Sequence, residues 1–246
     1  MRPTVLVFAG LDPSGGAGIA ADIQAVAAQG AHALPLVTAL TVQDNNRVHD
    51  VVAVDTALLL RQARVLIEAF DIRAVKVGIP GNRANAEAIA QLVAGLGVPV
   101  VVDPVLASGR GDALGRGNAR DAVAPLLDVA TLLVPNLPEW EAIEDCACPD
   151  ILVTGGHAFG AGVINRWHGA HGVREWHWPR LAGEFHGSGC TLAAAIAARL
   201  AMGYAMDEAL EGAQLYCHEA LAQSFAIAPG QRIPQRGPNL FLKAAQ

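Results

Sequence analysis

A chain of 246 residues, 52% of them apolar and without a long charged or low-complexity tract, can bury a sizeable core and is not a disordered protein. Its net charge of −6, with no basic stripe, removes the general attraction that nucleic acid or an anionic membrane would require, although a local positive pocket remains open to it. No apolar run reaches the ~20 residues of a membrane helix, the opening lacks a signal peptide's regions, and Cys146, Cys148, Cys190 and Cys217 match neither a zinc spacing nor a disulfide framework.

A cytoplasmic protein with reduced thiols is therefore expected, and in chain order its pattern alternates strands with helices. The apolar run 5–9 predicts a buried strand, which meets the loop Gly10-Leu11-Asp12-Pro13-Ser14-Gly15-Gly16-Ala17-Gly18 and then a helix over 18–29. That loop has neither the dinucleotide fingerprint nor the P-loop lysine. A strand over 33–40, a helix over 56–70, a strand over 74–77, a helix over 82–96 and a strand over 99–102 follow. Next come a helix over 118–127 and strands over 131–134 and 151–154. Residues 181–186 read as a short strand or loop, 207–224 as a helix and 228–238 as irregular. The stretch 165–177, with Trp167-His168, His171 and Trp176-His177, reads as a surface edge or flap, because its histidines lack paired cysteine or carboxylate partners for a metal. Repeated βαβ units predict an α/β fold with a mostly parallel central sheet, helices on both faces, and ligands beyond the carboxyl ends of the strands. Gly10, Asp12, Gln43, Gly78, Asp103, Asn136 and Gly155 all follow predicted strands, so one crevice would gather them. No linker or repeat divides the chain, and a single domain over 1–246 is expected.

The most informative stretch is His186-Gly187-Ser188-Gly189-Cys190-Thr191-Leu192, followed by an alanine-rich run. Glycines permit a tight turn and alanines favour a helix, so the stretch reads as a turn opening a helix. The first amides of a helix lack intrahelical partners and its dipole adds positive charge, which suits a phosphate or an oxyanion. In that field Cys190 is expected to favour the thiolate, a candidate base or nucleophile. A plainer reading makes Cys190 a small buried residue at a helix start.

Taken together, the two ends resemble a family. Ala9-Gly10-Leu11-Asp12-Pro13-Ser14-Gly15-Gly16-Ala17-Gly18-Ile19 with Asp22 is similar to the opening signature of the hydroxymethylpyrimidine and phosphomethylpyrimidine kinases of thiamin synthesis, within the ribokinase-like group. His186 to Leu192 resembles their closing signature, where cysteine stands in place of the sugar kinases' catalytic aspartate. Thr38 to Gln43, Lys76-Val77-Gly78, Asp103-Pro104-Val105, Pro135 to Glu139 and Gly155-Gly156-His157 lie between in the family's order. The resemblance implies the three-layer ribokinase-like fold, ATP as phosphoryl donor with Mg2+, and a homodimer. It implies that Gly10, Asp12, Ala17, Asp22, Gln43, Ile79 and Val105 bind the pyrimidine. Gln43 can donate and accept at once, which suits an aminopyrimidine edge. It places Asn136 and Thr154 at the ATP phosphates and Asp103 and Glu139 near the metal, mostly through water. Gly187, Ser188, Gly189 and Cys190 would then serve the transferring group. Each residue alone has a plainer reading: Gln43 as a loop amide, Asp22 and Glu139 as first-turn acids, Ile79 and Val105 as core.

Two departures bear on function. Thr154 stands where the family commonly has a lysine associated with the donor phosphates, so Mg2+, Arg110 or Lys76 would have to compensate. Gly78-Ile79-Pro80 stands where methionine and leucine commonly follow the glycine, so a different substrate shape is expected. The expected activity is phosphorylation of hydroxymethylpyrimidine, its monophosphate or both. A pyridoxal kinase, or a pyrimidine-binding regulatory domain that has lost donor binding, are the alternatives.

Overall fold

Alternate residues of a strand go to opposite faces of its sheet, and the first strand already divides the molecule into two cores. In β1 (Thr4–Leu11), Val5, Val7 and Ala9 enter one core while Leu6 and Phe8 enter the other. The structure, a computed structural model, describes residues 1–107, 111–112, 119–143, 146–157 and 160–237. The further strands are β2 (His32–Gln43), β3 (Val48–Ala53), β4 (Ile72–Val77), β5 (Val100–Val102), β6 (Leu132–Leu133), β7 (Asp150–Val153), β8 (Gly162–Gly169) and β9 (Gly172–Pro179). Among the described residues they form one sheet in the order β3-β2-β1-β4-β5-β6-β7-β8-β9. β2, β1, β4, β5, β6 and β7 run parallel, while β3, β8 and β9 add antiparallel edges.

The helices are α1 (Gly18–Ala28), α2 (Thr56–Ala69), α3 (Arg83–Val93), α4 (Ala119–Leu127), α5 (Leu137–Ile143), α6 (Ser188–Ala201) and α7 (Met206–Ala222). α1, α6 and α7 cover the first core, and α2 to α5 cover the second, giving the three-layer arrangement expected. α6 lies inside the molecule: Ala193 to Ala198 are inaccessible to solvent, between the sheet and helices α1 and α7. Alanine makes that possible, because only short side chains let helix and sheet approach on several sides. A leucine at Ala195 would overpack the site, at about 1–3 kcal/mol. Among the described residues no helix is long and apolar enough to cross a membrane.

The predicted strands and helices all occur, with ends shifted by a few residues. Three elements differ. β2 runs past its predicted end because Ala39 to Gln43 pair with β3, a strand whose half-exposed residues show no apolar period. α5 went unpredicted because its seven residues carry too few turns for a periodic signal. The flap expected over 165–177 is the β8–β9 hairpin at the sheet edge, with Ile164 opposite His177 and Trp167 opposite Arg174. The segment 181–186 makes a single bridge, from Phe185 to Arg232.

Candidate active site

A cavity of about 650 Å3 lies against the carboxyl ends of the parallel strands. Gly10, Asp12, Ala17, Gln43, Ile79 and Val105 line it, as do Asp103, Asn136, Glu139, Thr154 and the whole turn from Gly187 to Cys190. Of the residues expected at the site, Asp22 is absent from this wall, and so is Gly155, which was expected in the same crevice.

The first loop is organised by Asp12. Its carboxylate accepts hydrogen bonds from the Ser14 amide at 2.8 Å, the Ser14 hydroxyl at 2.9 Å and the Ala17 amide at 2.8 Å. His186 Nε2 lies 2.8 Å from the same carboxylate, joining the first loop to the closing turn across 174 residues. Burial pushes the Asp12 carboxyl up, but hydrogen bonds from His186, Gln43 and Ser14 outweigh it and hold the group well below the usual carboxylate range. Asp12 thus shapes the loop from a position on the cavity wall, where the substrate role was expected. Gln43, on the cavity wall, also helps to lower Asp12, and its amide can both donate and accept there. Gly10 is required sterically, because a Cβ there would stand 2.5 Å from Ile79 Cδ1.

Asp22 is a correction. It is fully buried and pairs with Lys76 Nζ at 2.9 Å, so it holds a lysine rather than a ligand. Lys76 does line the cavity. Burial opposes charge on Lys76, but Asp22 above all outweighs it and keeps the ammonium well above lysine's usual range. A Cβ on Gly78 would stand 2.9 Å from Lys76 Nζ, so that glycine leaves the ammonium its space. Sequence held a signal for this pair, a lysine set within the apolar strand Ala74-Val75-Lys76-Val77.

Asp103 ends β5. It is 5% exposed, and its Oδ2 is buried without a hydrogen-bond partner. Both carboxylate oxygens face the head of α6, 3.7 and 3.8 Å from where a Gly189 Cβ would be. Burial pushes the Asp103 carboxyl up to about 6, with Lys76 opposing and Asp22 adding. Burial, and then Asp103, push Glu139 up to about 7 against hydrogen bonds from Asn136 and Leu106. Asn136 and Glu139 also cap α5 reciprocally: the Asn136 amide donates to Glu139 Oε2, and the Glu139 amide to Asn136 Oδ1, each at 2.9 Å. A carboxylate with an orphaned oxygen, whose charge opposes that of a second carboxylate on the same wall, suits a hard divalent cation. Among the described residues no set of three His, Cys, Asp or Glu side chains could hold a metal. Two carboxylates are compatible with a cation that, like Mg2+, keeps most of its waters and leans on few of them.

The turn before α6 has the predicted form. Gly187 takes a φ of +77°, where a side chain would be strained, and the chain enters the helix at Ser188. Cys190 stands in the first turn, half-buried on the cavity wall. Its expected thiolate character is corrected. Burial pushes the thiol up to about 12, with Lys76 opposing and Asp22 and Asp103 adding, so the free protein carries Cys190 protonated.

At the other departure, Thr154 lies on the cavity wall, its hydroxyl donating to the Pro135 carbonyl at 3.4 Å. Arg110, one of the expected compensating charges, falls outside the described residues, and Lys76 is committed to Asp22. Sequence reasoning missed Arg180, which lines the cavity and donates to the carbonyls of Gly156 at 2.9 Å and Gly160 at 2.8 Å. It also missed a buried polar chain below this wall: Asn165 accepts from the Gly155 amide at 3.0 Å and donates to Gln214 at 2.8 Å. Neither has a local sequence signal, since both join distant strands and helices.

A mostly parallel three-layer sheet whose strand ends present carboxylates to a glycine turn at the head of a buried helix defines a ribokinase-like small-molecule kinase, a phosphotransferase. The pattern of the family described as Phosphomethylpyrimidine kinase matches residues 12–234, and the chain belongs to that family. A hydroxymethylpyrimidine/phosphomethylpyrimidine kinase of Streptomyces coelicolor is 34% identical to it, over 93% of this chain and 92% of the relative. The crystal structure of phosphomethylpyrimidine kinase from Clostridium difficile 630 superposes with a TM-score of 0.74 at 27% identity, covering 89% of this chain and 99% of that one. An ADP complex of Bacillus subtilis pyridoxal kinase gives a TM-score of 0.86 at 22% identity, covering 96% and 98%, a likeness of fold.

Proposed function

We propose that the protein transfers the γ-phosphoryl group of ATP to the hydroxymethyl oxygen of 4-amino-5-hydroxymethyl-2-methylpyrimidine, and then to the phosphate of the product, for thiamin synthesis. The observation that carries this reading is the Asp103 carboxylate, with its orphaned oxygen, facing the Gly189 position of the α6 turn. Family membership supplies the substrate class. The same reading takes residues 1–246 as one kinase domain that works in the cytoplasm as a homodimer.

Transfer of a phosphoryl group is mostly positioning and electrostatics, because its transition state is loose and its charge spreads over three oxygens. Gly10, Ala17, Ile79 and Val105 would hold the pyrimidine ring, with Gln43 bonding its polar edge. The amides of Ser188, Gly189 and Cys190, free of intrahelical partners, would take the charge of the moving group. Mg2+ held by Asp103 and Glu139 through water would neutralise the donor phosphates. Burial, Asp22 and Asp103 oppose the Cys190 thiolate while Lys76 favours it, and the helix terminus would add to the side of Lys76. The Cys190 thiolate, its own proton released to solvent, would accept the hydroxyl proton as the substrate oxygen bonds to phosphorus and the bond between phosphorus and the ADP oxygen breaks. Asn136 and Thr154 would meet the donor phosphates, and Arg180 adds positive charge beside Thr154, where the family commonly has lysine.

The test is ATP consumption by the purified protein with Mg2+, offered the pyrimidine alcohol, its monophosphate and pyridoxal in separate assays. Turnover on both pyrimidines is expected. Turnover on pyridoxal alone would replace the substrate, and calorimetric pyrimidine binding without turnover on any would make this a binding protein.

A further inference from the structure

Behind the two loops of the site lies a cation contributed by the irregular C-terminal segment. Arg236 is 2% exposed. Its Nη2 donates to the Gly16 carbonyl at 2.6 Å and lies 3.4 Å from the carbonyls of both His186 and Gly187, to which it also donates. Its Nε donates to Thr191 Oγ1 at 2.8 Å, and that hydroxyl donates to the Gly187 carbonyl at 2.7 Å. The segment is itself held: the Tyr216 hydroxyl donates to the Arg236 carbonyl at 2.9 Å, and the Gln235 amide to the Ala220 carbonyl at 2.9 Å. One guanidinium thus ties the glycine loop after β1 to the turn before α6.

Within a trans peptide the carbonyl and the following N–H point in opposite directions. Drawing the His186 and Gly187 carbonyls onto Arg236 therefore turns the N–H groups of Gly187 and Ser188 away from it. Gly187 and Ser188 line the cavity while Arg236 does not. Among the described residues no carboxylate pairs with Arg236 at ion-pair distance, Asp22 acting on its charge only from farther away, and its Nη1 is buried without a hydrogen-bond partner. Its charge therefore acts on whatever anion enters the turn, through a medium that screens weakly. A role in packing alone would not require a buried, unneutralised charge, since desolvating one is costly.

We propose that Arg236 is a positioning residue for phosphoryl transfer: it orients the amides of the Gly187–Cys190 turn and sets a fixed positive charge behind them. This rests on the reading of that turn as the seat of the transferring group. The experiment compares Arg236→Gln and Arg236→Lys with the wild type in kcat and KM for the pyrimidine and for ATP. Loss of aligned donors at an oxyanion site costs ~10²-fold in kcat when direct, so an indirect loss of about tenfold is expected for Arg236→Gln, with both KM values little changed. Arg236→Lys should recover part of that loss, since it keeps the charge. Should Arg236→Gln not fold, Thr191→Val, which removes the Nε acceptor, carries the test with a smaller fall in kcat at constant KM. An unchanged kcat, a loss confined to KM, or a lysine variant as poor as the glutamine variant would overturn the proposal. An inactive wild type would instead defeat the reading on which it rests.

Discussion

Two buried aspartates, one in the loop after β1 and one at the end of β5, face the same cavity under opposite physics. Asp12 is 3% exposed and Asp103 5%, so burial does not separate them. Asp12 accepts from two backbone amides and a hydroxyl, beside His186, and its carboxyl is held low. Asp103 keeps an oxygen without a partner and its carboxyl is pushed up. A buried carboxylate already satisfied by its own chain builds structure; one left unsatisfied stores a cost that a bound cation repays.

The comparison is sharpest where the two residues are neutralised. Asp103→Asn should lower turnover by about 10²-fold or more, as expected when charge compensation at a transferring phosphate is lost, yet leave the melting temperature of the free protein unchanged or higher. A marked fall in melting temperature would place Asp103 with Asp12 as a structural residue. Cys190→Ala comes next, with turnover falling by roughly tenfold or more, the scale of a positioned proton acceptor, and pyrimidine binding kept by calorimetry. Unchanged turnover would remove the thiol from the mechanism.

Asp12→Asn should act the other way round, destabilising the protein by about 1–3 kcal/mol through unpaired loop donors while lowering turnover less than Asp103→Asn does. Urea unfolding read beside the assay decides it, and an Asp12→Asn protein of wild-type stability would break the comparison. The pH dependences should also oppose one another. Raised carboxyls contribute stability that is present in full below the unfolded pKa of about 4 and is lost as pH rises through about 6 for Asp103 and about 7 for Glu139. The lowered carboxyl of Asp12 contributes stability present above the unfolded value and lost only as pH falls below it. Glu139→Gln should therefore flatten the melting temperature between pH 5 and 8, and Mg2+ affinity of the wild type should weaken as pH drops through 7. A Glu139→Gln profile parallel to wild type would show that Glu139 does not titrate there. The smallest effect is expected at Gln43, on the cavity wall beside the first loop: Gln43→Ala should weaken the pyrimidine more than ATP, and an equal loss of both would put it outside the substrate site.

The alternation of apolar runs with helical periods was enough to set out the parallel core of the sheet, because β1, β4, β5 and β7 are short buried strands bounded by glycine, proline or aspartate. The turn before α6 was equally legible, since a glycine at positive φ followed by alanines is a local matter of sterics and propensity. β3 was not, because a half-exposed edge strand gets its pairing from β2 and carries no apolar period of its own.

The resemblance to the kinase family marked Asp12, Asp22, Asp103 and Glu139 as positions for chemistry, while Cys190 stood out from its own glycine turn. What each does depended on contacts that no local pattern contains. Lys76 claims Asp22 across 54 residues, His186 reaches Asp12 across 174, and Arg236 reaches Gly16 across 220. Local sequence determines backbone shape because sterics and periodicity act over a few residues. Only the tertiary structure decides ionisation and role, because desolvation and hydrogen-bond partners come from whatever the fold packs alongside.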